Sequence, residues 1–80
     1  MYFKKSRDTV PYDSNSDNVL LINPNKVCYI RLYKEETLYF YFEKDKPIAW
    51  KYINTQKAME ALEEIEKIIH VNVLVNEKQT

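Results

Sequence analysis

The chain has 80 residues, a formal net charge of zero, one cysteine, one histidine and no glycine. This length holds one domain at most, and electrical neutrality argues against a general binder of polyanions. One cysteine excludes an intramolecular disulfide, and one cysteine with one histidine cannot supply the four ligands of a structural zinc site. A chain of this size buries only about 60–65% of its unfolded surface, so a partner subunit is the remaining source of extra stability.

The location and the chemistry of the protein are both constrained by what the sequence lacks. No segment approaches the ~20 apolar residues of a membrane span, and the first residues lack the apolar run of a signal peptide. The single cysteine fits a reducing compartment, so we expect a cytoplasmic protein without membrane contact. A Gly-rich phosphate loop requires glycine, and we expect no cofactor, no metal, no small-molecule substrate and no catalytic site.

Residues 1–18 are predicted to form a flexible N-terminal arm outside the core. Their polar run, residues 13–18, has no periodicity and is typical of a loop or linker. Pro11 argues against a long edge strand in this segment. The folded domain is predicted to span residues 19–76, and residues 77–80 are expected to be a frayed tail.

Four strands are predicted within the domain, at residues 19–22, 27–34, 37–43 and 48–53. The third is the central strand of the prediction, because it is almost entirely aromatic and β-branched. A three-residue turn over residues 35–37 pairs Leu32 with Phe40, and the same reasoning pairs Phe40 with Trp50. This register keeps the apolar and the tyrosine-rich positions on separate faces. The pairing of the first strand stays open, because that strand is apolar on both sides.

An amphipathic helix is predicted after the strands, with its N-cap at Thr55. Its apolar residues recur at helical spacing and form one stripe; they are Ala58, Ala61, Leu62, Ile65 and Ile69. Residues 71–75 are expected to form a short fifth strand, with an extra helical turn as the alternative. The fold class is therefore α+β: a four-stranded antiparallel sheet, β-β-β-β-α along the chain, with one C-terminal helix packed on one face.

The predicted sheet has two different faces, because side chains alternate along a strand. The face under the helix carries Cys28, Ile30, Leu32, Leu38, Phe40, Phe42, Ile48, Trp50 and Tyr52. The opposite face carries Tyr29, Arg31, Tyr33, Tyr39, Tyr41 and Lys51. One helix cannot cover both faces of a sheet, so these last six residues are the candidate interaction surface.

Three interpretations of this surface compete. In the first, tyrosine serves only as a strand former on a partly solvated face. In the second, which we favour, the face binds a second copy of the chain or another protein, since Tyr and Arg are enriched where interfaces concentrate their energy. In the third, the tyrosines stack the bases of single-stranded DNA or RNA and Arg31 and Lys51 meet phosphates. The third is less favoured, because only two cations belong to the set and Glu43 borders it.

A separate hypothesis concerns the acidic flank of the predicted helix. Its members are Glu60, Glu63, Glu64 and Glu66. Such a run is ordinarily a solvated helix face. The alternative is an acidic surface that docks on a basic host protein and inhibits it. The leading function from sequence alone remains a non-enzymatic interaction module that self-associates through the tyrosine-rich face.

One stretch resembles a known pattern. Residues 22–30 read Ile-Asn-Pro-Asn-Lys-Val-Cys-Tyr-Ile, and an aromatic hairpin, Pro-Ile-Ala-Trp at residues 47–50 and a helix follow. Over residues 19–70 this resembles small stand-alone bacterial and phage proteins of unknown function, which implies a phage or mobile-element accessory role and no activity. The strand order is also similar to the β-β-β-β-α unit of single-strand-binding transcriptional coactivators of the PC-four-like family, at the level of fold alone.

Overall fold

The computed structural model describes residues 2–69 and the backbone of residues 72–76. The elements in chain order are β1 (Phe3–Lys4), β2 (Thr9–Val10), α1 (Ser14–Asp17), β3 (Leu21–Ile22), a 3₁₀ turn (Pro24–Lys26), β4 (Val27–Tyr33), β5 (Thr37–Phe42), β6 (Ile48–Tyr52), α2 (Thr55–Ile68) and β7 (Asn72–Asn76). The predicted α+β class is confirmed.

The main sheet has five strands in the order β2-β6-β5-β4-β7. Strands β2, β6, β5 and β4 are antiparallel to their neighbours, while β7 lies parallel to β4. Four antiparallel strands are present, as predicted, but β2 is one of them and the predicted strand at residues 19–22 is not. Strand β7 is the extended segment expected near residues 71–75. The predicted frayed tail, residues 77–80, lies outside the described residues.

The first predicted strand does not join the main sheet. Leu21–Ile22 pairs instead with Phe3–Lys4 in a separate two-stranded ribbon. The ribbon covers the part of the core face that α2 leaves open, and Ile22 is only 3% exposed. The ring of Phe3 stacks on that of Trp50 with the centroids 6.2 Å apart. Burial of Phe3 and Ile22, one from each strand of the ribbon, therefore holds the ribbon over the sheet.

Residues 2–18 pack on the domain, and the prediction that this segment lies outside the core is wrong. Phe3 belongs to the core cluster, and Thr9–Val10 pairs with β6 at the outer edge of the main sheet. The polar run, residues 13–18, contains α1 rather than only loop. Asp13 caps this short helix, because its backbone oxygen and its carboxylate both accept hydrogen bonds from the first turn.

The strand registers differ by two residues from those predicted. Leu32 pairs with Leu38 rather than with Phe40, and Trp50 also pairs with Leu38. The turn between β4 and β5 begins one residue earlier than expected. A shift of two residues leaves every side chain on its predicted face, because the side-chain period of a strand is two. The division of residues between the two faces therefore survives an incorrect register.

Cys28 is the exception on the predicted core face. The register of β4 shifts between Val27 and Tyr29, which is the mark of a β-bulge with one extra residue. The bulge reverses the alternation at the start of the strand, so Val27 is buried and Cys28 is exposed. The prediction that Cys28 faces the core is therefore wrong.

Helix α2 buries the predicted apolar stripe against the sheet. The buried residues are Ala58, Ala61, Leu62 and Ile65, and Ile69 packs against the same core. The N-cap is Asn54 rather than Thr55, because the Asn54 Oδ1 accepts a hydrogen bond from the Lys57 backbone N–H at 2.8 Å. No helix in residues 2–69 is long and apolar enough to cross a membrane.

The turn from β4 to β5 holds two residues in the left-handed region. Lys34 has a φ of 52° and Glu35 a φ of 66°. A residue with a Cβ pays about 1 kcal/mol or more in this region, whereas glycine does not. The chain has no glycine, so this hairpin carries backbone strain that a substitution can relieve.

We expect Glu35→Gly to raise the free energy of unfolding by about 0.5–1 kcal/mol, because glycine removes the energetic cost of the left-handed conformation. The gain is limited to this size because glycine also increases the conformational entropy of the unfolded chain. Urea unfolding measures the change. Lys44→Gly is the matched control: Lys44 is an exposed turn residue without a positive φ, so this variant should lose stability. A Glu35→Gly protein no more stable than the parent would contradict the argument.

Tyr52 has a buried hydroxyl that lacks a hydrogen-bond partner among the described residues. The side chain is 1% exposed and lies on the core face. Burial raises the pKa of Tyr52 above the ordinary tyrosine value, and the negative charge of Glu64 raises it further. The folded state therefore disfavours the phenolate.

This pKa difference predicts a loss of stability at alkaline pH. The contribution is complete below about pH 10, where unfolded tyrosine ionises, and falls by about 1.4 kcal/mol per pH unit as the pH rises towards the folded pKa. Tyr52→Phe should show a shallower alkaline decline and nearly unchanged stability at pH 7, since its missing hydroxyl had no partner. Urea unfolding from about pH 7 to about pH 11.5 measures both, and parallel curves for parent and variant would show that Tyr52 is not the source of the alkaline loss.

Candidate functional site

The six residues of the candidate surface lie on one face of the main sheet, in rows that differ from those predicted. The observed cross-strand rows are Tyr33–Thr37–Lys51, Arg31–Tyr39–Ala49 and Tyr29–Tyr41. The predicted rows were Tyr33–Tyr39–Lys51 and Arg31–Tyr41–Ala49, with Tyr29 opposite Glu43. Strand β5 is therefore displaced by two residues relative to both of its neighbours, which places Tyr29 and Tyr41 side by side and puts Thr37 instead of Tyr39 between Tyr33 and Lys51.

Tyr29 and Tyr41 form a stacked pair across β4 and β5. Their ring centroids are 4.4 Å apart and their planes differ by 10°. Tyr39 is the next residue along β5 on the same face, with its ring centroid 6.2 Å from that of Tyr41 and the two planes 22° apart. Tyr41 thus has two aromatic neighbours, and part of the ring area of the cluster is in contact within the cluster.

Tyr33 extends the cluster and is contacted by two cations. Its ring meets that of Tyr39 edge to face at 5.9 Å. The guanidinium carbon of Arg31 lies 5.8 Å from the Tyr33 ring centroid, and the Lys34 Nζ lies 5.3 Å from it. Lys34 was not among the predicted site residues. These distances fall in the range of cation–π attraction.

Tyr12 is the other member that sequence reasoning did not assign to the surface. Its hydroxyl lies 2.8 Å from that of Tyr39, and the two rings meet edge to face at 6.3 Å. Burial raises the pKa of Tyr39, and the hydrogen bond with Tyr12 raises it further. The only sequence signal is an aromatic residue between Pro11 and a polar run, and no periodicity relates such a residue to a sheet face.

Helix α1 is attached to β6 through Ser16, which is fully buried. The Ser16 hydroxyl donates to Asp13 Oδ2 at 2.7 Å and accepts from the Ala49 backbone N–H at 2.9 Å. The Tyr52 N–H donates to the Glu36 carbonyl on the β5 side of β6. Because successive N–H groups of a strand point to alternate edges, the Ala49 N–H points to the β2 side. Strand β2 pairs only with Lys51 and Tyr52, and Ser16 therefore supplies the acceptor that Ala49 would lack.

The face is consequently divided into a covered part and an open part. The covered part lies under residues 11–18, which we call the strap, and includes Ala49, 2% exposed. The open part is the half-buried set on β4 and β5, which we call the open face: Tyr29, Arg31, Tyr33 and Tyr41. Tyr39 and Lys51, both half-buried, lie at the boundary. The prediction that the whole face lacks a cover from its own chain is wrong for the β6 side.

Charge on and around the open face is not neutralised by ion pairs within the described part of the chain. The two ion pairs found there both involve Lys57, with Asp8 and with Glu60. Arg31, Lys34 and Lys51 take part in neither. The positive charges beside the tyrosines are thus available to a partner group.

The acidic flank of α2 is exposed, as the sequence predicted. Glu60, Glu63, Glu64 and Glu66 are all exposed. Glu60 lies 3.5 Å from the Lys57 Nζ and accepts a hydrogen bond from Gln56. The role of this flank in docking on a basic protein stays a prediction.

Comparisons of the chain with protein-family models, with curated proteins and with solved structures find no match. No group of three or more His, Cys, Asp or Glu side chains that could hold a metal ion occurs in the described residues. The resemblance to small bacterial and phage proteins stays a prediction. Arguments about function therefore depend on the geometry of the open face and the strap.

We expect Ser16→Ala to lower the free energy of unfolding by about 1–3 kcal/mol, because it leaves the buried Ala49 N–H without an acceptor. Thermal or urea unfolding measures the loss. Ser14→Ala is the matched control, since Ser14 lies in the same helix with its side chain exposed, and this variant should change stability by less than about 0.5 kcal/mol. Equal effects of the two substitutions would show that the Ser16–Ala49 bond is not the anchor.

Proposed function

We propose that the protein is a non-enzymatic interaction module that self-associates through the open face. The observation that carries the proposal is the stacked pair Tyr29–Tyr41, which lies half-buried on β4 and β5 with neither α2 nor the strap over it. Tyrosine and arginine side chains held in a fixed arrangement supply interface area at a small cost in entropy. A second copy of this chain is the partner that the surface chemistry supports best.

The chemistry of the open face is self-complementary. In a two-fold dimer the same patch meets itself, so each group must suit a copy of itself or of a neighbour. A tyrosine hydroxyl both donates and accepts a hydrogen bond, and Tyr29 and Tyr41 can therefore pair with the same residues of another copy. Arg31 can lie over a tyrosine ring of the second copy. The net charge of zero removes overall repulsion between two chains.

The size of the open face favours a weak dimer. The described side chains of the open face lie on two strands, which at a spacing of about 4.8 Å and a rise of about 3.3 Å per residue present a patch roughly 10 Å by 17 Å. Stable interfaces bury about 800 Å² on each partner, which is more than such a patch offers. We therefore expect a concentration-dependent equilibrium between monomer and dimer rather than an obligate assembly.

Single-stranded nucleic acid is supported less well as a partner. A base stacks on the exposed face of an aromatic ring, and the rings of Tyr29 and Tyr41 occupy one face of each other at 4.4 Å. The ring centroid of Tyr39 also lies 6.2 Å from that of Tyr41. A mobility shift with oligo-dT or oligo-U at low salt, lost in Arg31→Ala, would favour this partner over a second copy.

We expect the average mass of the wild-type protein to rise with concentration between about 10 µM and about 1 mM, as measured by sedimentation or light scattering. The double variant Tyr29→Phe, Tyr41→Phe keeps the ring stack and removes two hydroxyls from each copy. A two-fold interface contains the Tyr29–Tyr41 bond twice, so at about 0.5–1.5 kcal/mol for each hydrogen bond the double variant should weaken association by roughly 5-fold to 150-fold. Tyr41→Glu should abolish association, because it places like charges opposite one another at a two-fold interface.

The matched control is Tyr2→Phe. Tyr2 is 60% exposed and precedes Phe3, which packs on the core side of the sheet, so its hydroxyl lies away from the open face. This variant should associate as the wild type does. A wild-type protein and a Tyr12→Phe variant that both remain monomeric at about 1 mM would refute self-association.

A further inference from the structure

The strap is joined to the sheet mainly by polar contacts, and its aromatic contact, the edge-to-face approach of Tyr12 to Tyr39, involves a ring that is itself exposed. Among residues 11–18 the buried side chain is that of Ser16, while Pro11 and Tyr12 are exposed and the others are polar. Two side-chain hydrogen bonds connect it to the sheet, from the Ala49 N–H to Ser16 and between Tyr12 and Tyr39. The preceding segment is different, because Phe3 anchors it in the core.

Polar anchoring makes the strap a candidate for local opening. A protein hydrogen bond replaces one with water and gives only a modest net stabilisation, whereas the core strands are held by buried apolar side chains. Segments with few buried apolar contacts open at a small fraction of the cost of global unfolding. The strap can therefore detach while α2 and the core remain folded.

Opening would change the size of the interaction surface. With the strap closed, the accessible residues among the described side chains of this face lie on β4 and β5. With it detached, Ala49 and Lys51 on β6 and the covered edge of Tyr39 become accessible, which adds a third strand to that set. All three residues of the cross-strand row Arg31–Tyr39–Ala49 are then accessible to a partner.

We propose that the strap is a gate on the tyrosine face: it opens locally, and the open form is the one that associates with a second copy of this chain. The association step rests on the proposed function, whereas the opening step does not. Because both copies must open, the apparent dissociation constant varies as the inverse square of the open fraction when that fraction is small. A threefold rise in the open fraction should therefore tighten association about ninefold.

Hydrogen exchange of two backbone amides separates local from global opening. The Ala49 N–H is bonded to the strap through Ser16, and the Tyr52 N–H on the same strand is bonded to the Glu36 carbonyl at 2.8 Å. In dilute monomeric protein, Ala49 should exchange at least about tenfold faster than Tyr52. Equal protection of the two amides would mean that the strap leaves only on global unfolding, which would overturn the inference whatever the association state.

The variant that tests the gate is Tyr12→Phe, because it removes one strap contact and leaves the Ser16–Ala49 bond in place. We expect faster exchange at Ala49, unchanged exchange at Tyr52, and association tightened by the square of the exchange ratio. Tyr2→Phe is the control and should change none of these. Its exposed ring lies on neither the strap nor the open face.

The two proposals fail in different ways. If Ala49 exchanges faster in Tyr12→Phe while association is unchanged or weaker, the gate is refuted and self-association through the open face stands. If wild type and Tyr12→Phe are both monomeric at about 1 mM although Ala49 exchanges locally, self-association is refuted and the strap has no gating role in it. Tighter association that follows the squared exchange ratio supports both.

Discussion

The structure depends on one constraint: a sheet that is apolar or aromatic on both faces has only one long helix to cover it. Helix α2 spans 14 residues and buries its stripe on one face, and the ribbon of β1 and β3 covers the remainder of that face. The other face is covered in part by the strap and in part by tyrosines that stack on one another. The N-terminal residues therefore contribute to both layers.

This division follows from the small size of the chain. A domain of 80 residues buries a modest share of its surface. A free N-terminal segment of 18 residues would leave a large part of such a chain without packing contacts. Phe3 places one end of the segment beside Trp50 in the core. Ser16 fixes the other end beside β6, where its hydroxyl accepts a hydrogen bond from the Ala49 N–H. The segment thus wraps the edge of the sheet.

The tyrosine cluster is part of the packing of the sheet and is also the proposed interaction surface. Stacking of Tyr29 on Tyr41 and the edge contacts of Tyr39 reduce the apolar area in contact with water, while the hydroxyls and the nearby Arg31 and Lys34 remain able to form polar contacts. We propose that this surface binds another protein surface rather than a stacked base, and that the strap, attached mainly by polar contacts, controls how much of it is exposed.

The sequence by itself determined the face of nearly every strand residue, the apolar stripe of α2 and the α+β class, because side-chain alternation and helical spacing are local properties. It also identified four tyrosines and two cations of the candidate surface. The tertiary structure alone decided the two-residue register, the bulge at Cys28 and the position of Tyr12 over Tyr39. Register shifts of two leave a pattern unchanged, and the course of residues 1–18 depends on partners distant in sequence, such as Trp50 and Ala49, which no local pattern specifies.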